Sequence, residues 1–338
     1  MKVLVLKRDK VGDMLLTTPM LRVLRAALPA ARIEVLASDY NAWVLEGNRD
    51  VDRVRVYRRT RIGNRISVAG AVQQVALFAR LRFEAFDVTI AAGGEASPRA
   101  TRRARLMDAK RTIAYAPAGE ARAPDAPAEP THGHERERVI ALLAPLGIAA
   151  PATPPLPVYV PPAAVIDRAR AWLAQGGLES GRFAVIGLGA RRAKRQPDAR
   201  QVLRWSEWLK REHDLDTVFL WTPGPAENRL YPGDDAIAAA VLAAKPAWLH
   251  AFRGALLPAI GIVWHARVSI VPDSGLMHFA AASPGGVLGL FAERAVSPPP
   301  DRWGPLGPNA AILEAPMRIA DVDDAQFTAA MHALLGGR

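Results

Sequence analysis

Four short segments of this chain carry residue types suited to holding an anion or moving a proton. The sharpest is Val271-Pro272-Asp273-Ser274-Gly275-Leu276-Met277-His278, where an apolar run ends in Asp-Ser-Gly and an apolar helical pattern begins at once. The first amides of a helix have no partner inside it, and with the helix dipole they hold phosphate well. Gly275 lets a ligand approach the backbone, and Ser274 can add a hydroxyl. The same residues also suit plain helix capping by Asp273 or Ser274, and His278 equally suits a packed core histidine.

The second segment, Lys10-Val11-Gly12-Asp13-Met14-Leu15-Leu16-Thr17-Thr18-Pro19, follows the first apolar run. Gly12 permits a tight turn, and Asp13 falls where a helix begins. A carboxylate there can serve as a general base toward a hydroxyl, or simply cap the helix. The third, Gly187-Leu188-Gly189-Ala190-Arg191-Arg192-Ala193-Lys194-Arg195-Gln196-Pro197, places small residues and four cations after another apolar run. That composition suits a diphosphate, and Lys194 can neutralise charge growing on a departing one without a metal; a solvated basic loop has the same composition. The fourth is Trp221-Thr222-Pro223-Gly224-Pro225-Ala226-Glu227, whose Glu227 suits either ribose hydroxyls or solvent.

The elements that must position these segments alternate. Val3–Leu6, Ile33–Ala37, Val54–Tyr57 and Asp87–Ala91 read as strands, with helices over Leu15–Leu28 and Val68–Leu81. Residues 116–132 are rich in Pro and Ala and read as a mobile loop, and 149–163 carry six prolines and read as a linker. A second series follows, with strands at Phe183–Leu188, Thr217–Trp221, Val268–Val271 and Val287–Phe291. Helices are expected at Ala164–Ala174, Gln201–Glu212, Asp234–Ala244, from Leu256, from Leu276, and at Asp321–Leu335. Continuous apolar strands alternating with helices predict parallel, doubly wound sheets. The expected α/β architecture is two Rossmann-like domains with a cleft between them: 1–150, a linker at 151–163, 164–320, and a closing helix at 321–338 that can pack back on the first domain. Asp13 and the Asp-Ser-Gly segment would face that cleft from opposite sides.

At 338 residues the chain is long enough for two domains. It has no cysteine, which excludes disulfides, thiolate metal sites and cysteine nucleophiles. No apolar stretch approaches the roughly 18 residues a membrane span needs, and the N-terminal run is too short for a secretion signal, so a cytoplasmic protein is expected. The net charge of +11 is uneven: residues 1–150 hold 25 Lys/Arg against 16 Asp/Glu, or +9. That suits an anionic partner, and an arginine-rich proteome gives the same bias. The basic segments Arg53–Arg65 and Arg99–Arg111 suit phosphates or carboxylates or a solvated face. They lack the interleaved aromatics that stack bases, which argues against nucleic acid. The absence of G-x-G-x-x-G disfavours a nicotinamide- or flavin-binding first domain.

Taken in order, these features resemble the lipopolysaccharide heptosyltransferases of glycosyltransferase family 9. The matching residues are Val11-Gly12-Asp13-Met14-Leu15-Leu16-Thr17-Thr18-Pro19, Pro29 with Ile33–Leu36, Asn48–Val54, Gly189–Lys194, Gly224–Glu227, Asp273–His278, Phe291 and Arg302–Pro308. The resemblance implies a GT-B fold and a metal-independent, inverting transfer of heptose from ADP-L-glycero-D-manno-heptose to the lipopolysaccharide inner core, with no cofactor. Asp13 would be the base and Lys194 would steady the diphosphate. Gly189, Arg192, Glu227, Asp273, Ser274, Gly275, Leu276 and His278 would bind the donor. Lys10, Gly12, Arg58, Arg59 and Arg61 would lie on the acceptor side. The protein would touch the cytoplasmic face of the inner membrane peripherally. Two departures stand out: Gln196 occupies a position where Trp is usual, and Phe291-Ala292-Glu293-Arg294 replaces Phe-Gly-Pro. Another acceptor, such as a protein or capsular glycan, and a catalytically idle nucleotide-binding scaffold are the alternative readings.

Overall fold

The structure, a computed structural model, describes residues 1–338 except 9, 59–60, 63–64, 118–124, 191, 229–231 and 337–338; for 61–62 and 65–66 it describes the backbone alone. The chain divides into two compact units, Met1–Val160 and Pro161–Arg338.

In unit 1 the strands are β1 (Lys2–Leu6), β2 (Arg32–Ser38), β3 (Arg53–Tyr57), a short antiparallel pair β4 (Arg61–Ile62) and β5 (Arg65–Ile66), β6 (Val88–Ala91) and β7 (Arg111–Ile113). The helices are α1 (Val11–Leu15), α2 (Thr18–Ala27), α3 (Val68–Phe83), α4 (Pro98–Arg105) and α5 (Glu135–Ala141). Five strands form one parallel sheet in the order β3-β2-β1-β6-β7. The central strands are apolar on both faces because helices cover both, and Val3, Leu4 and Val5 are fully buried. A buried ion network braces β2 to β3: the Arg55 guanidinium donates to Glu34 at 2.5 Å and to Glu84 at 2.6 Å. Burial opposes the Arg55 charge, but those two carboxylates outweigh it and hold its pKa above the ordinary value.

The helix expected over Leu15–Leu28 is α2, which begins at Thr18 with Pro19 in its first turn, because the chain turns at Leu16–Thr17 after the short α1. The described part of the Pro/Ala loop is held rather than loose. Ala116 N donates to the Pro127 carbonyl at 3.1 Å, and Glu129 accepts from Ala96 N at 3.0 Å. Part of the proline-rich stretch lies on unit 1 as well. Val158 N donates to Thr18 Oγ1 at 2.9 Å, and the buried Tyr159 ring meets Trp43 edge-on at 6.0 Å.

In unit 2 the strands are β8 (Phe183–Gly187), β9 (Asp216–Trp221), β10 (Leu249–Arg253), β11 (Val268–Pro272), β12 (Gly286–Phe291) and β13 (Ala310–Glu314). The helices are α6 (Ala163–Gln175), α7 (Ala199–His213), α8 (Asp235–Ala243), α9 (Leu256–His265), α10 (Gly275–Ala281), α11 (Pro300–Trp303) and α12 (Asp324–Leu335). The sheet is fully parallel in the order β10-β9-β8-β11-β12-β13. Successive β8 residues serve opposite faces. Ala184 and Ile186 join Val202, Trp205 and Phe327 of α7 and α12, whereas Phe183 and Val185 join Leu173, Ile262 and Met277 of α6, α9 and α10. In α12, Phe327 stacks on Trp205 with ring centroids 4.5 Å apart.

His265, at the end of α9, gives unit 2 a pH dependence. It is 8% exposed, and its Nδ1 lies 3.0 Å from Ser180 Oγ. Burial, reinforced by the Arg170 charge, holds its pKa below the ordinary 6.5. The unfolded chain therefore takes up a proton below pH 6.5 that the folded chain refuses, so stability is full above that pH and is lost as pH falls below it. The urea midpoint is expected to drop between pH 7 and pH 5.5, and His265→Gln to flatten that part of the profile.

Candidate functional site

A doubly wound sheet binds ligands beyond the carboxyl ends of its strands, at the point where strand order reverses. In unit 2 that point lies between β8 and β11. The two strands feed the Gly189–Gln196 loop and the Asp273-Ser274-Gly275 turn, two of the segments singled out in the sequence. Ser274 is the N-cap of α10, yet its side chain makes no capping hydrogen bond, so capping does not account for it. The Asp273 carboxylate, 8% exposed, pairs with Arg195, whose Nη2 also donates to the Asp273 carbonyl. One guanidinium thus ties the β8 loop to the β11–α10 turn. Gly289 of β12 lies beneath α10, where a Cβ would come within 2.8 Å of Met277 Sδ.

Two other cations of this loop lie on the surface. Lys194 is exposed with its ammonium 3.4 Å from Glu293, and Arg192 donates to the Val296 carbonyl at 3.2 Å. Gly189 is half-buried, and Arg191 lies outside the described residues. Gln196 is buried, and its amide donates to the Ala190 carbonyl at 3.0 Å and to Asp234 at 2.6 Å. Asp234 also accepts from Thr222 N at 3.0 Å. Burial pushes the Asp234 carboxyl up, against the hydrogen bonds from Thr222 and Gln196 that pull it down.

This bridge joins the β8 loop to the β9 loop, which carries Glu227. Gly224 there has φ +120°, and Gly233 lies so close that a Cβ would sit 1.9 Å from the Gly224 carbonyl oxygen. Glu227 itself is exposed on the turn, and Leu276 is half-buried. His278 is 6% exposed within α10, between the buried Met277 and Phe279.

In unit 1 the strand order reverses between β1 and β6. Asp13 follows β1, half-buried in α1, and one carboxylate oxygen accepts from Lys10 N at 3.0 Å. That bond fixes the carboxylate locally, at the start of α1. Gly12 is buried in α1, and Lys10 is exposed. Beside them, Arg8 donates to the Tyr57 hydroxyl and lies 4.3 Å over its ring. After β6, Gly94 N donates to the buried Glu135 carboxylate at 2.9 Å, and a Cβ on Gly94 would collide with it. Arg58 is exposed; Arg59 and the Arg61 side chain lie outside the described residues. Of the two basic segments, Arg55 is spent on the β2–β3 network, and Arg111 pairs with Asp125 and donates to the Pro145 carbonyl at 2.7 Å.

Sequence reading selected Lys194 and Arg192 for the donor, counted Arg195 only among the cations of its loop, noted Gln196 and Glu293 only as departures from the family pattern, and passed over Asp234. Four cations in one loop carry no sign of which turns inward. Among the described residues, no cluster of His, Cys, Asp or Glu could hold a metal ion.

Two parallel-sheet units with these strand orders make a GT-B fold. The solved structures it matches include a family 9 glycosyltransferase from Veillonella parvula, at TM-score 0.79 and 17% identity over 100% of this chain and 97% of that one. They include the heptosyltransferase WaaC of E. coli with ADP, at TM-score 0.73 and 18% identity over 99% and 100% of the two chains. The E. coli ADP-heptose lipopolysaccharide heptosyltransferase II matches at TM-score 0.72 and 18% identity over 100% and 99%. The resemblance to family 9 read in the sequence thus extends to the fold of the whole chain. No family model matches the sequence, and no curated protein matches it.

Proposed function

We propose that this chain is an inverting, metal-independent glycosyltransferase that moves heptose from ADP-L-glycero-D-manno-heptose to an inner-core sugar of lipopolysaccharide. The observation that carries the reading is the Arg195–Asp273 tie at the unit 2 switch point. It holds the cationic loop of Lys194 against the turn whose Gly275 and Leu276 amides open α10. Cations beside unpaired helix amides match a diphosphate. One of the solved structures of this fold is described as holding ADP.

In the proposed reaction Asp13 takes the proton from an acceptor hydroxyl, whose oxygen attacks the anomeric carbon of the heptose. The bond from that carbon to the diphosphate oxygen breaks, and ADP leaves with the electron pair. Lys194, Arg192 and the α10 amides stabilise the charge on the leaving group. Glu227 accepts from ribose hydroxyls, and Gly189, Ser274 and His278 line the donor. Lys10, Gly12, Arg58, Arg59 and Arg61 meet the anionic acceptor at the cytoplasmic face of the inner membrane. A direct displacement inverts the anomeric centre and needs only one base.

The test is to incubate the protein with a heptose-deficient core oligosaccharide and ADP-heptose, a UDP-sugar or a GDP-sugar in turn. Mass analysis is expected to show one added heptose from the ADP donor alone. Tight ADP binding with no transfer to any acceptor would overturn the reading.

A further inference from the structure

Helix α3 is apolar on two opposite sides. Its inner side is expected, since Leu81 is fully buried and Leu77 and Phe78 join it against Ala104 and Met107. Its outer side is not: Val68 is 74% exposed, Val72 64%, Val75 69% and Phe83 88%, with exposed Ala79 between them. Positions 68, 72, 75, 79 and 83 recur at helical spacing, so they form one stripe along the whole helix. An apolar stripe of that length left to water marks an interaction surface.

Helix α4 stands beside it on the same core. Ala100 and Ala104 face that core together with Leu77 and Phe78 of α3, so Arg99, Arg102 and Arg105 turn outward, with Leu106 following. All four are exposed, and among the described residues none of these three arginines joins an ion pair. Arg82, on the flank of the α3 stripe, pairs with Asp108 beyond α4 at 2.8 Å and links the two helices. The outward surface is therefore an apolar ridge next to a cationic one.

We propose that unit 1 docks on an anionic lipid bilayer through the outward faces of α3 and α4. The valines and Phe83 enter the headgroup–acyl boundary, and the α4 arginines engage lipid phosphates. Charge selects this occupant over a second copy of the chain, because self-association would set like-charged α4 faces together on a half already at +9. The inference gives the membrane contact of the proposed function a physical location, and it does not depend on the transfer chemistry.

The experiment is co-sedimentation of the full chain with phosphatidylcholine vesicles, with and without phosphatidylglycerol, in low and high salt. Wild type is expected to partition onto the anionic vesicles only. Val72→Gln with Val75→Gln is expected to weaken partitioning about tenfold, and Arg102→Glu with Arg105→Glu to weaken it at low salt. Both double variants replace exposed side chains, so circular dichroism and turnover on a soluble, lipid-free acceptor are expected to stay unchanged. Failure of wild type to bind anionic vesicles, or valine variants that bind like wild type, would overturn the proposal. So would a wild-type dimer that the valine variants split. Valine-dependent vesicle binding in a protein that transfers no sugar would uphold the docking surface and sink only the transferase reading.

Discussion

Replacing Asp13 with Asn is expected to lower kcat by about 10²–10⁴-fold while leaving ADP affinity unchanged. The substitution separates two roles that sequence alone could not. Asn can still accept the hydrogen bond that Lys10 N donates to Asp13 at 3.0 Å, so the start of α1 keeps its shape. What it loses is the capacity to take a proton. Were the carboxylate only a local brace for α1, Asp13→Asn would turn over within about twofold of wild type, and Asp13→Ala would show a stability loss of about 1 kcal/mol instead. Single-turnover rates with saturating donor, set beside urea midpoints for both variants, discriminate the two.

The architecture was legible where both faces of a strand are covered. β1, β2, β6, β8, β9, β11 and β12 are short runs of mostly apolar, buried residues. Besides the short β4–β5 pair, the strands that escaped notice are β7, β10 and β13, all of which lie at sheet edges. An edge strand is half exposed, so Arg111–Ile113 and Leu249–Arg253 carry charge and polar groups, and only pairing with β6 or β9 makes them strands. The break between α1 and α2 escaped for the opposite reason. Apolar periodicity runs through Leu15, Leu16 and Met20, and Pro19 is as acceptable in a first turn as after a helix end.

The site was legible in its segments and not in its pairings. Both switch-point loops were found from strand ends followed by Gly, Asp and Ser, because that chemistry is local. Which cation meets Asp273 is not local: Arg195 lies 78 positions away, and its neighbours Arg191, Arg192 and Lys194 are equally plausible by type. Gln196 shows the same limit. It looked like a departure from the family pattern, whereas the structure gives it a definite task, bridging Ala190 and Asp234 across two loops. Glu293, another departure, lies within reach of Lys194.

Arg195→Ala is expected to destabilise unit 2 by about 3–5 kcal/mol, more than any other single change in the switch-point loops. The Arg195 and Asp273 side chains are only 14% and 9% exposed, so removing the guanidinium takes an ion-pair partner from a carboxylate shielded from water. An exposed pair would cost about 1 kcal/mol or less, so the size of the effect tests the burial directly. Seven of the eight tryptophans lie in unit 2, which lets fluorescence-detected urea unfolding follow this unit. Adding Asp273→Asn to Arg195→Ala removes the buried charge and is expected to recover more than half of the loss. A double variant no more stable than the single one would mean that Arg195 acts through packing and not through Asp273. Arg195→Lys keeps the charge but not the planar guanidinium whose Nη2 reaches both the Asp273 carboxylate and its carbonyl, so it should fall between wild type and Ala. If the tie also sets where Lys194 stands, ADP affinity will stay weak in the double variant even as stability returns. That split between binding and stability is what distinguishes a donor site braced by an ion pair from an ion pair that merely braces the fold.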